Sequence, residues 1–220
     1  MRNGLLLTTR REGGQDIPLL MWRFGRSLRA VSSAPLGGGI GLRRWVLNAT
    51  VPMSYDRDDP ADHLAAMARG LGLDGPGVGL LTGVDVSEVV ARTDTGVQVW
   101  ATVGLGTPIP AAAPTQVSAT QPVGTVNIVA YVPARLGDAA LVNTVATATE
   151  AKAQAITELG LPGTGTPTDA VVVLCPAGGP VHDYGGPRST WGAPLARAVH
   201  SAVLAVGVDT VVPWSDRLWS

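Results

Sequence analysis

One stretch constrains the fold more than any other. It is Asn143–Lys152, NTVATATEAK, with the turn and strand that follow it at Gly163–Cys175, GTGTPTDAVVVLC. At 100° per residue, Leu141, Val145, Ala148, Ile156 and Leu159 share one side of a helix, the expected buried face. Asn143, Thr147, Glu150 and Gln154 form a polar stripe on the opposite side. Lys152 breaks this division by projecting from the middle of the apolar face. It is also the only lysine, since the other basic residues of the sixteen are arginine. A compact ammonium with a tunable pKa is not replaceable by a guanidinium, so its use at this awkward place points to a specific need.

The rest of the pattern predicts a mixed sheet with helices packed on it. Ile17–Phe24 and Leu28–Ser32 read as strands separated by a turn at Gly25-Arg26, and Arg43–Val51 as a third. Asp59-Pro60 opens a helix with an N-cap and a proline at its first position. Val78–Thr82 is a buried strand, and Val86–Ala91 with Val97–Val103 a hairpin around Thr93–Gly96. Thr107–Gln121 is a long loop, and Thr125–Val132 a strand. The long helix runs from a cap at Asp138 to about Leu159, where Gly160 and Pro162 stop it. Ala170–Cys175 is a buried strand, Gly178–Gly186 a Gly-rich loop and Pro194–Val206 a last helix. Strands before the long helix and one strand between the last two helices give an α+β (mixed α/β) fold, not a regular βαβ alternation. No linker or repeat divides residues 1–220, so a single domain with three main helices is expected.

Composition excludes several functions. A net charge of −1 with 15% charged residues offers no basic surface for nucleic acid. Apolar runs are too short and interrupted to span a membrane. No signal peptide is evident and Cys175 is the only cysteine, which fits a reducing, cytoplasmic setting. The three histidines, His63, His182 and His200, are widely spaced and form no zinc-ligand pattern, so no metal site is expected. His63 and His200 sit at helix edges as surface or boundary residues. His182 lies in a Gly-rich loop, where functional side chains concentrate.

Other features have plain structural readings. The Gly37–Gly41 run lacks the Lys-Ser/Thr of a P-loop and precedes a strand, so a tight loop is favoured over a phosphate cradle. Cys175 reads as a small buried apolar residue rather than a nucleophile. The stripe holding Glu150 is unusual for a solvated face, because its companions are uncharged amides and hydroxyls. Asp169 reads either as a turn cap or as an acid–base group. Lys152 reads equally as a buried ion-pair partner and as a functional group.

Several blocks together carry a family resemblance. They are SSAPLGGG (Ser32–Gly39), TGVDV (Thr82–Val86), TVGLGTP (Thr102–Pro108), GTVNI (Gly124–Ile128), ALVNTVATATEAK (Ala140–Lys152), GTGTPTDAVVV (Gly163–Val173) and YGGPRSTWGAPLARAV (Tyr184–Val199). The chain resembles the adenosylcobinamide amidohydrolases over about residues 32–206. Residues 1–31 and 208–220 carry no recognisable motif of that family.

The resemblance implies a cytoplasmic enzyme of corrinoid salvage. It would cleave the amide joining aminopropanol to a corrin propionyl side chain, giving adenosylcobyric acid and 1-aminopropan-2-ol. No cofactor of its own is implied, since the cobalt is carried by the corrinoid substrate; a homo-oligomer remains open. A corrin is a broad apolar ring edged with carboxamides. Gly38 and Gly39 beside Ser33 would let the backbone approach it, and Asn48, Asn127, Asn143 and Thr147 would pair with carboxamides, with Thr168 and Tyr184 also in contact. Amide hydrolysis needs an activated nucleophile, oxyanion donors and a proton for the leaving amine. Glu150 or Asp169 is the expected base and Lys152 the proton donor or charge stabiliser. Two alternatives stand beside this reading. One is a corrinoid-binding protein without chemistry. The other is a self-processing amidase whose Thr nucleophile is exposed by cleavage at Gly124-Thr125 or Gly163-Thr164.

Overall fold

The computed structural model describes residues 4–106, 108–114 and 124–206. Its strands are β1 (Gly4–Glu12), β2 (Gln15–Ser32), β3 (Gly39–Thr50), β4 (Gly77–Thr82), β5 (Val90–Asp94), β6 (Val97–Val103), β7 (Val126–Tyr131), β8 (Arg135–Leu136), β9 (Ala170–Pro176) and β10 (Val181–His182). Its helices are α1 (Pro60–Gly70), α2 (Asp138–Glu158) and α3 (Gly192–Leu204). Eight strands form one mixed sheet in the order β4-β3-β2-β9-β7-β6-β5, with β1 paired to β2. The α+β architecture expected from the pattern is the one found.

Strand β2 organises the sheet. The sequence predicts two strands and a turn here; the chain instead runs through as one strand with a register irregularity between Arg23 and Leu28. Gly25 and Arg26 supply a bulge, which bends the strand without ending it. Both halves of β2 pair with β3, but only the second half pairs with β9. The bend turns one end of the sheet over the other. Leu20 and Trp22 from the first half, with Val46, Val78 and Leu80, then pack against Val129, Tyr131, Val172 and Leu174. Trp22 meets Trp100 edge to face across this layer, centroids 5.8 Å apart.

The outer faces are covered by helices. Alternate residues of β7 and β9 (Val126, Ile128, Ala130; Val171, Val173, Cys175) bury against α2 and α3. Leu19, Met21, Trp45 and Leu47 bury against Leu64 and Ala68 of α1. The layers therefore run helix, sheet, sheet, helix. Cys175 is fully buried, and burial pushes its thiol pKa up, as its apolar reading requires.

Local differences have clear causes. Asp59 takes the N-cap position of α1 ahead of Pro60 as expected, but its side chain pairs with Arg57 rather than capping; at α2 the N-cap is Gly137, and Asp138, one residue inside the helix, pairs with Arg29. Val86–Glu88 forms a 3-10 turn, held by Asp85 accepting from Ser87 N at 2.9 Å, so β5 starts later than expected. The expected Gly-rich loop at Gly178–Gly186 contains β10, parallel to β8. His63 is buried, not at the surface, between Tyr55 and Glu12. Parts of the expected Thr107–Gln121 loop, and the tail from Val208, lie outside the described residues.

Candidate active site

A cleft of about 380 Å³ opens where strand ends from both sheet layers meet. Val51, Pro52 and Met53 after β3, and Leu80–Gly83 at the end of β4, form one wall. Thr125 and Asn127 at the start of β7, with Thr168 and Ala170 at the start of β9, form the other. The parallel pairing of β7 with β9, Asn127 opposite Ala170, brings these two strand starts side by side.

Asn127 and Asn48 span the gap between the layers. Asn127 Nδ2 donates to Asn48 Oδ1 and to Leu81 O, both at 2.9 Å, and Asn48 Nδ2 donates to Thr102 Oγ1 at 3.1 Å. Both asparagines are buried. This spends both donors of Asn127 and leaves its Oδ1, buried, with no protein partner. A buried acceptor without a donor carries a desolvation cost, unless something else supplies one.

Behind the cleft wall, Lys152 of α2 forms an ion pair with Asp169. Asp169 also accepts from Val126 N at 2.8 Å, Thr166 N at 3.0 Å and Thr166 Oγ1 at 2.5 Å. Its two oxygens thus hold four donors, the full capacity of a carboxylate. One anion ties together α2, the turn before β9 and the start of β7. Gly165 explains the lone lysine, because even a methyl group there would collide with Lys152 Nζ and Asp169 Oδ2. A guanidinium has no room.

The hydroxyls in front of this knot form a chain. Thr168 Oγ1 donates to the carbonyl of Gly124 at 3.2 Å, and lies 2.7 Å from Thr125 Oγ1. Thr168 has one proton, committed to Gly124, so Thr125 is the donor in the second bond.

The remaining candidates from the sequence lie elsewhere. Glu150 is exposed and lines a different groove, with Gln154, Arg197 and His200. The structure does not bring it to Lys152 and Asp169. Thr147 is buried and donates to Gly185 O at 2.8 Å, and it shares the wall of the Glu150 groove. The Gly185–Gly186 backbone packs on α2 beside Thr144 and Asn143, so Thr147 is covered while Asn143, Glu150 and Gln154 stay exposed. Asn143 and the exposed Tyr184 line a second groove of about 700 Å³ with His182 and Arg188. Ser33 accepts from Val171 N at 3.0 Å, anchoring β9. Gly38 and Gly39 stand at an exposed turn whose concavity is filled by the Arg43 guanidinium, bonded to Gly37 O at 2.9 Å and Gly38 O at 3.4 Å. The loop aims carbonyls at a cation and is no cradle for an anion. Thr164 sits in an exposed turn, accepting from Ala111 N at 3.0 Å, and does not line the cleft.

Sequence reasoning passed over the role of Thr166 and Gly165 around Asp169. The signal was present as GTGTPTD, where short Thr and Gly side chains leave space for a carboxylate to fold back on its own turn.

Fold and site define a class: an α+β protein with a helix–sheet–sheet–helix core and, at converging strand ends, a largely apolar cleft with a few polar groups on its walls. The chain belongs to the adenosylcobinamide amidohydrolase family, whose sequence model matches residues 6–209. It is similar to the adenosylcobinamide amidohydrolase of Methanosarcina mazei, 30% identical over 182 residues, which cover 79% of this chain and 87% of that protein. The protein of the same name from Halobacterium salinarum is 40% identical over 132 residues, 57% of this chain and 56% of that one. Among solved structures, a Burkholderia sp. beta-aminopeptidase aligns over 91% of this chain with a TM-score of 0.47 and 12% identity; a likeness this low carries no argument here. The family makes the protein a hydrolase acting on an amide. Among the described residues no helix is long and apolar enough to cross a membrane.

Proposed function

We propose that the protein hydrolyses the amide between aminopropanol and a propionyl side chain of the corrin ring in adenosylcobinamide. The products are adenosylcobyric acid and 1-aminopropan-2-ol, and the first re-enters cobalamin synthesis. Family membership across nearly the whole chain supports the reaction. The observation that carries the site is Asn127. It lines a cleft walled by Pro, Val, Leu and Met together with Thr125, Thr168, Tyr55 and Arg57, a mixture that suits an apolar ring edged with carboxamides, and its Oδ1 is buried without a protein donor.

The reacting amide lies against the Thr125–Thr168 edge of the cleft. The hydroxyls there supply a nucleophile and a donor for the carbonyl oxygen. Lys152 and Asp169 act as positioning residues. Asp169 has no lone pair left for a water, and its bonds to Val126 N and Thr166 instead fix the strand starts that present Thr125 and Thr168. Glu150 takes no part.

The test is incubation with adenosylcobinamide, with mass detection of 1-aminopropan-2-ol and of the corrinoid acid. Release of both in equal amounts is expected. Tight corrinoid binding without release would overturn the reading in favour of a carrier protein.

A further inference from the structure

We infer that the chain cuts its own Gly124–Thr125 peptide bond, and that Thr125, freed as a new N-terminus, is the nucleophile of the amidase. The inference rests on the reading of the cleft given above, and extends it to a reaction the chain performs on itself.

The geometry is that of a hydroxyl chain closed on a peptide bond. Thr125 Oγ1 donates to Thr168 Oγ1, 2.7 Å away, and Thr168 donates to the carbonyl oxygen of Gly124, the residue just before Thr125. As donor in that bond, Thr125 Oγ1 keeps its lone pairs for attack on a carbonyl. Thr168 polarises the carbonyl of that same bond. Gly124 is packed so closely that a Cβ would sit 2.5 Å from Gly104 O and 3.0 Å from Thr166 Cγ2. The Thr125 carbonyl is pinned by Gly104 N at 2.9 Å, and the next amide by Asp169 at 2.8 Å. Both sides of the bond are held while the hydroxyl acts, which is the condition for an intramolecular reaction to gain from proximity.

The step balances without a co-reactant other than water. Thr125 Oγ1 adds to the Gly124 carbonyl carbon. Its proton passes to Thr168 Oγ1, and the Thr168 proton passes to the Gly124 oxygen. The carbon then expels the Thr125 nitrogen, which takes up a proton as the carbonyl reforms and the Thr168 hydroxyl is restored. The result is an ester between Gly124 and Thr125 Oγ1 beside a free α-amine. Water cleaves the ester to a Gly124 carboxylate and the Thr125 hydroxyl. From then on the α-amine of Thr125 serves as base for its own hydroxyl. The hydroxyl attacks the substrate amide, the amine product leaves with a proton, and water releases the acyl group as the acid.

The experiment is intact-mass analysis and N-terminal sequencing of the full chain, purified and incubated without substrate. Two fragments are expected, the second beginning Thr-Val-Asn-Ile. Thr125→Ser should still divide, Thr125→Val should remain one chain, and Thr168→Val should divide at least about tenfold more slowly, as when one hydrogen-bond donor to a developing oxyanion is removed. A wild-type chain that stays whole while releasing aminopropanol overturns this inference and leaves the amidase reading standing. A divided chain that binds adenosylcobinamide without cleaving it upholds the self-cleavage and overturns the amidase reading. Division of Thr125→Val at the wild-type rate overturns the inference whatever the activity.

Discussion

Lys152 and Asp169 meet where α2 passes the start of β9, and Gly165 closes over their contact so tightly that no β-carbon fits there. The pair is nearly dry, with side chains 8% and 13% exposed. Its stability consequences follow from that burial.

Replacing Lys152 with Met leaves Asp169 charged among three remaining donors, and breaking a buried pair from one side costs about 3–5 kcal/mol. Lys152→Arg restores the charge but not the fit, because a guanidinium must displace Gly165. Both variants should melt well below the wild type in a thermal scan, with Lys152→Arg no better than Lys152→Met. An arginine variant of wild-type stability would show that the glycine packing does not select lysine.

Glu150→Gln removes the charge nearest to Lys152 in sequence on α2. Since Glu150 opens onto the groove beside Arg197 and His200, kcat/KM for adenosylcobinamide should stay within about twofold of wild type, under ~0.5 kcal/mol. A hundredfold loss in a folded variant would return Glu150 to the catalytic machinery.

Asn127→Ala strips Asn48 Oδ1 and Leu81 O of a donor and removes an amide from the cleft wall. Each buried polar group left unpaired costs about 1–3 kcal/mol. The variant should melt lower and also show a raised KM. Asn48→Ala leaves Asn127 Oδ1 in place, so it should lower the melting temperature with a smaller change in KM. Equal KM effects would mean that Asn127 acts only by holding the two sheet layers together.

Asp94 is held at about 2 rather than its ordinary 3.8, first by its hydrogen bonds from Arg197 and then by the Thr95 hydroxyl. The folded-state pKa is depressed, so what the pair contributes is fully present above 3.8 and disappears as the pH falls through about 2. It joins the β5–β6 turn to α3. In Arg197→Ala, a carboxyl NMR titration should find Asp94 shifted up toward 3.8. An unmoved midpoint would assign the depression to Thr95.

The sequence made the element types legible because burial periods are strong here. The runs at Val78–Thr82 and Ala170–Cys175 allow no reading but buried strands. Strand β2 was misread because Gly25 marks a turn and a bulge with the same residue, and only the pairing of Leu28–Ser32 with β9 separates the two. The site was legible in pieces. Lys152 announced itself as an exception to its own helix face, and Asp169 by its place before a buried strand. Thr147 is covered for a physical reason. A helix wheel does not know that the Gly185–Gly186 backbone will pack on one side of α2, and a lone threonine satisfies a carbonyl as readily as a ligand. Thr125 and Thr168 are 43 residues apart, and only the parallel pairing of β7 with β9 makes them neighbours.

That pairing has a consequence for the order of assembly. The cleft is enclosed by the ends of β3 and β4 on one side and the starts of β7 and β9 on the other, and β2 reaches β9 only through contacts such as Ser32 with Val172. Long-range pairings form late, since the loop between them must be closed first. During synthesis, the first four strands and α1 can gather while the chain still lacks β9, the last strand of the main sheet. The Asp169 knot, and with it the hydroxyl chain at Thr125, cannot close until that strand emerges. The chemistry proposed at the Gly124–Thr125 bond would thus be kept in check until folding is nearly complete, so the fold itself sets the time at which the site comes into being.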